Sequence, residues 1–232
     1  MSYSYYEVYT NSLRALSGMG FPYGADEDAA FIIAWLELNN FQGIKLLAKS
    51  STLLDKKYNG VINLKKNECK IDLQGSSVLM KGPGIIDYFK SKIKSNNDIE
   101  LIIENCKEPL CFLPLLYKIS NEVFFSSLIY YKKNKKTSCL IKKNSIKISS
   151  VYKKDNVKKN KVKIFFSNKI KTSSLFNIEK IITSDTIKKN LSKSLKPNIK
   201  DWEKVEKIAF RTYVPESEHS RLKGAGGGDD ND

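Results

Sequence analysis

One stretch, GFPYGADEDAAFIIAWLELNN, constrains the fold more than any other, because Ala29, Ala30, Ile32, Ile33, Ala34 and Leu36 leave almost no polar face along it. A helix apolar on nearly every side must be surrounded by other elements, which places this one at the centre of a helical cluster. Pro22 and Gly24 form the turn before it. Asp26, Glu27 and Asp28 open it, where carboxylates suit the positive helix end. Its expected neighbours carry narrower stripes. Tyr5 to Ser17 has Tyr6, Tyr9, Leu13 and Leu16 on one face and ends at Gly18 and Gly20. Phe41 to Ser50, with Ile44, Leu46 and Leu47, reads as a shorter third helix. Far downstream, NIKDWEKVEKIAF sets Trp202, Val205, Ile208 and Ala209 at helical spacing after an Asn198 cap, so this helix is expected to dock on the cluster.

From about Asn59 the periodicity changes. GVINL, CKIDL and SVLM read as short β runs, and DIELIIENC reads as a strand. PLCFLPLLYKISNE, with Pro109 and Pro114, reads either as a short buried helix or as an irregular core segment. VFFSSLIYYK, SCLIKK, SIKISSVYK and VKIFFS then give four strands in succession, joined by cationic turns, and Ser184 to Ser194 reads as a helix. The expected fold is therefore α+β: an N-terminal helical cluster packed with a largely antiparallel sheet and a C-terminal helix, then a glycine-rich tail. A single domain over 1–232 divides into a helical part (1–55), a part that is mainly strands (56–180), helices (181–212) and the tail (213–232).

The longest uncharged apolar runs, Phe31 to Leu36 and Leu110 to Tyr117, fall well short of the roughly 20 residues that cross a bilayer. The N-terminus, MSYSYYEVYTNSLR, lacks the pattern of a secretory signal, so a cytoplasmic protein without a membrane partner is expected. Cys69, Cys106, Cys111 and Cys139 form no CxxC pair and His219 is the single histidine, which assigns no metal site and reads the thiols as reduced and mostly buried. The acidic terminus lacks the spacing of an EF-hand. A formal charge of +15 points first to nucleic acid. Yet of 40 basic residues only Arg14, Arg211 and Arg221 are arginine, and the 37 lysines are dispersed, which makes nucleic acid the lesser reading.

In so lysine-rich a chain the arginines mark places where a planar, bidentate donor matters. Two lie in the tail, RTYVPESEHSRLKGAGGGDDND, whose glycines let backbone amides approach an anion. The candidate ligand-binding set is Arg211, Tyr213, Ser217, Ser220, Arg221, Gly224 and Gly226, with Asp26, Glu27 and Asp28 from the second helix. Structural readings stand beside it: an arginine–carboxylate bridge that ties down the tail, and helix capping by the three acids. No catalytic residue and no cofactor is assigned.

The segments GFPYGADEDAAFIIAWLE and FRTYVPESEHSRLKGAGGGDDND resemble an uncharacterised proteobacterial family, a domain of unknown function with GxPxGxAE-type and YVPxSExSRxxGAGxGxxDND-type motifs. Asp26, Gly227 and Asp229 depart from its pattern, and His219 falls at a variable position. The resemblance implies an ordered tail and no activity. The N-terminal helices are also similar to those of malate and lactate dehydrogenase-like oxidoreductases. There a Ser-His-Gly motif follows the acidic, alanine-rich helix, whereas this chain has Phe41, Gln42 and Gly43, so the catalytic histidine does not carry over and hydride transfer is not expected. The expected function is a small anionic-metabolite enzyme or binding protein that uses the tail, or alternatively an accessory subunit inserting its tail into a protein partner.

Overall fold

The structure, a computed structural model, describes residues 1–63, 69–93, 98–123, 125–132, 134–152, 160–169, 175 and 177–213. The first layer is helical: α1 (Tyr5–Gly18), α2 (Ala25–Leu38) and α3 (Gly43–Leu54). Then follow β1 (Lys70–Asp72), α4 (Val78–Ile93), β2 (Asp98–Glu104) and α5 (Phe112–Lys118). A run of strands comes next: β3 (Phe125–Lys132), β4 (Lys135–Lys142), β5 (Ser145–Tyr152), β6 (Val162–Ser167) and β7 (Ile178–Thr183). Two helices close the order, α6 (Ser184–Leu191) and α7 (Ile199–Ala209).

As its composition requires, α2 is central. It packs on α1, α3, α4 and α5, and Ile32, Ile33, Ala34 and Leu36 are fully buried. A Ser4–Glu7 capping box starts α1, with Ser4 N–H donating to the Glu7 carboxylate at 2.6 Å. The Asn198 side chain caps α7 as the sequence predicts. That helix rests on α1 and α3, with Trp202 buried and stacked on Tyr3 at a centroid distance of 3.7 Å. Tyr3 and Leu195 exchange backbone hydrogen bonds of 2.9 and 2.7 Å, joining the N-terminus to the segment before α7.

The strands form one sheet in the order β1-β2-β6-β3-β4-β5-β7, parallel between β1 and β2 and antiparallel elsewhere. Alternation gives it an apolar face: Ile99, Leu101 and Ile103 of β2 and Val162, Ile164 and Phe166 of β6 are buried, while Lys163 and Glu100 pair outside at 2.9 Å. The fold is thus α+β, with the N-terminal helices and a largely antiparallel sheet. Among the described residues no helix is long and apolar enough to cross a membrane.

Three segments differ from expectation, the first being GVINL, which forms no strand over residues 60–63, the part of it that is described. SVLM is not a strand but the start of α4, where Val78, Leu79, Ile85, Ile86, Phe89 and Ile93 make a helical stripe that Pro83 does not interrupt. Gly82 lets that helix close on α5, since a Cβ there would sit 3.2 Å from Leu115 Cδ1. The strand β7 is absent from the sequence reading because only Ile182 of its residues is fully buried, which hides the alternation. The apolar PLCFLPLLYK segment folds as a short turn, Pro109–Cys111, followed by buried α5.

Candidate anion-binding cleft

The tight passage from α2 to α3 builds the first wall of a large cleft. Asn40 and Gln42 both take left-handed backbone angles, φ 59° and 56°, which turns the chain within four residues. Gly43 then sits against α2 so closely that a Cβ would lie 2.0 Å from the Ile33 carbonyl oxygen. With no side-chain cap at Gln42, the Glu37 carboxylate takes that task and accepts from Ile44 N–H at 3.0 Å. Burial raises the Glu37 pKa, and the bonds from the Ile44 and Gly43 amides act against the rise. The Phe41 ring lies parallel to Trp35 within 8°, and Lys180 of β7 sets its ammonium 3.9 Å from the same ring centroid. Lys180 also donates to the Asn39 carbonyl, and burial lowers its pKa.

The second wall is the chain after β2. Glu108 accepts hydrogen bonds from Ser50 Oγ of α3, at 2.5 Å, and from Ser77 Oγ at the start of α4. Cys106 N–H donates to the Asn160 carbonyl at 2.9 Å. These bonds hold the backbone on both sides of Lys107, which lines the cleft with Lys45 and Lys49, one turn apart on α3, and whose Nζ lies 3.7 Å from where a Cβ at Gly75 would stand. Tyr130 and Tyr131 of β3, Asn134 in the next turn and Tyr152 of β5 complete a cleft of about 1030 Å³. Among the described residues Lys45, Lys49 and Lys107 form no ion pair. Among the described residues the one carboxylate that lines the cleft, Glu108, is occupied by two serines. Burial pushes the Tyr130 phenol and the Cys106 thiol up to about 12 each, so neither offers a ready nucleophile or base.

Of the residues singled out from sequence, the described ones lie elsewhere. Arg211 pairs with Asp55 at 2.7 Å. Tyr213 accepts a hydrogen bond from Arg14 and lies beneath its guanidinium. Asp26 is buried, accepting from Ser17 Oγ at 2.7 Å and from Glu27 N–H at 2.8 Å; Glu27 is exposed; and Asp28 pairs with Lys118 at 3.1 Å. Arg211 does approach the end of α1: a Cβ at Gly18 would lie 3.5 Å from its Cβ, one residue from the Ser17 that holds Asp26. Ser217, Ser220, Arg221, Gly224 and Gly226 lie outside the described residues, and so does the expectation of an ordered tail. Sequence reasoning noticed Gln42 but not Lys45, Lys49 or Lys107, whose only signal was the i, i+4 spacing of the first two.

Residues 3–78 match the model of a family described as "Protein of unknown function (DUF3726)", in keeping with the resemblance read from the N-terminal segment. No curated protein matches the sequence. Among solved structures the chain is similar to malate dehydrogenase from Pyrococcus horikoshii, with a TM-score of 0.64 and 10% identity over 93% of this chain and 96% of that one. It is also similar to sulfolactate dehydrogenase from Methanocaldococcus jannaschii, with a TM-score of 0.60 and 9% identity over 90% and 96%. A dehydrogenase from Sinorhizobium meliloti gives 0.64 and 7% over 90% and 99%. At these identities the likeness is one of fold, and it extends the similarity read at the N-terminal helices across the chain.

Proposed function

We propose that this protein binds a small organic anion in the cleft above α3. The observation that carries the reading is that Lys45, Lys49 and Lys107 line one cleft and, among the described residues, form no ion pair, while Glu108, the one acid among the described lining residues, is already bonded. Such cations attract a carboxylate or phosphate, and Phe41, Tyr130 and Tyr131 add apolar surface to the lining. Malate and sulfolactate, for which two of the similar structures are named, are anions of this kind. Gln42 lines the cleft with an amide that cannot exchange a proton near neutral pH, which favours binding over hydride-transfer chemistry. The glycine-rich tail with Arg211 and Arg221 remains a second candidate anion-holding element in this reading.

Isothermal titration with malate, citrate, sulfolactate and inorganic phosphate tests the proposal. At least one is expected to bind, and Lys45→Gln/Lys49→Gln together should weaken it by about tenfold or more. Lys107→Gln should act in the same direction. If an anion binds and all three replacements leave its affinity unchanged, the cleft is not its site.

A further inference from the structure

A second hollow, of about 290 Å³, lies between α1 and α7. Its interior is aromatic, with the Tyr3–Trp202 stack inside and Phe210 and Tyr213 at the edge, 60% and 47% exposed. Its polar groups are unusual for this protein. Arg14 of α1 and Glu206 of α7 both line it, and among the described residues neither forms an ion pair, Arg14 donating instead to the Tyr213 hydroxyl at the edge and leaving its charge unanswered. Asn11 lines it as well, and its side-chain N–H₂ is buried without an acceptor. Glu7, the other acid present, is committed to the α1 cap.

Opposite charges that share one hollow without meeting leave room for a ligand that answers both. An anion alone would face Glu206 and a cation alone would face Arg14. The unsatisfied Asn11 donor stands one helical turn from Arg14, on the same face of α1, so it adds to the acceptor-seeking side. The Tyr3 phenol responds to the acidic side: burial first, then Glu206, Glu7 and Glu203, raise its pKa.

We propose that this hollow binds a free amino acid with an aromatic or large apolar side chain, its carboxylate held by Arg14 and Asn11, its ammonium by Glu206, and its side chain against Tyr3, Trp202 and Phe210. The volume is at the small end for ligand pockets and suits a molecule of that size. The site shares no lining residue with the cleft above α3 and does not depend on what that cleft binds.

Calorimetry on the full chain with L-phenylalanine, phenethylamine, 3-phenylpropanoate and glycine separates the contributions. Phenylalanine is expected to bind at least about tenfold more tightly than any of the other three, each of which lacks one of the groups the site addresses. Arg14→Gln should reduce phenylalanine to the level of phenethylamine. Glu206→Gln, which is isosteric, should reduce it to that of 3-phenylpropanoate, and Lys45→Gln/Lys49→Gln should leave it unchanged. The proposal is overturned if phenylalanine gives no signal up to about 10 mM, if it binds no better than its fragments, or if both charge replacements leave its affinity intact.

Discussion

The cleft above α3 and the hollow between α1 and α7 differ in the balance of charge that lines them: mostly cationic in the cleft, mixed in the hollow. The cleft gathers three cations around an acid already bonded to serines, whereas the hollow sets one arginine against one glutamate with space between them. The contrast shows where charge is informative in a chain with 37 lysines. Exposed pairs such as Lys163–Glu100 and Lys135–Glu179 say little, because solvent screens them. A charge without its counter-charge in an enclosed space says more, and the two sites are two instances of opposite kind.

Replacing Trp202 with alanine should have the largest effect on this comparison. The ring is the floor of the hollow and is buried against Tyr3, so its loss should cost about 3 to 5 kcal/mol in denaturant unfolding. An unchanged midpoint would mean that the hollow is peripheral to the core. Gly43→Ala tests the other site. Its Cβ would meet backbone on two sides, Ile33 O at 2.0 Å and Glu37 N at 3.0 Å, so α3 must shift, at a cost of about 3 kcal/mol. Anion binding in the cleft should weaken with it, while the hollow keeps its affinity; equal weakening at both sites would show that they move as one body.

Alkaline unfolding gives a smaller, graded effect that belongs to the cleft side. Burial pushes the Cys106 and Cys139 thiols from 9.0 up to about 12. Between those values the folded chain keeps protons that the unfolded chain has lost, so stability is full below about pH 9 and falls as pH rises towards 12. Each thiol removes about 1.4 kcal/mol per pH unit in that window. Denaturant melts at about pH 8, 9 and 10 measure the slope, and Cys139→Ala should flatten it; an identical slope in the variant would assign the alkaline loss to other groups. The smallest effect is expected of Arg211→Lys. Arg211 is exposed and its partner Asp55 half-buried, so the change should stay below about 1 kcal/mol. A larger loss would mean that Arg211 does more than bridge to Asp55.

The helical layer was legible because its signals are local. The apolar faces of α2, the stripe of α7 and the Asn198 cap are each written within one or two turns. The strands from β2 to β6 were legible for the same reason. Where a signal depended on partners it failed: Gly82 and Pro83 obscure α4 until α5 is seen against it, and β7 sits at the sheet's edge with little buried surface. The cleft was hidden for a further reason. Lys45, Lys49 and Lys107 are ordinary lysines in this composition, and their walls meet through contacts such as the Ser50–Glu108 bond, which joins residues 58 apart. Among the arginines Arg14 drew little weight from sequence, because its companions Asn11 and Glu206 are meaningful only once α7 lies on α1.

That late arrival of α7 has a consequence for the chain as it is made. The Lys204–Ala48 bond, which seats α7 on α3, joins residues 156 apart. At ordinary ribosomal speeds of about 5 to 20 residues per second, the faces of α1 and α3 wait roughly 8 to 30 seconds for their cover. Throughout that interval the nascent chain carries an open apolar surface beside a finished helical core. Chaperones that hold such surfaces, or a pause in translation that lengthens the wait, would therefore bear on the yield of this protein more than on the stability of the finished molecule.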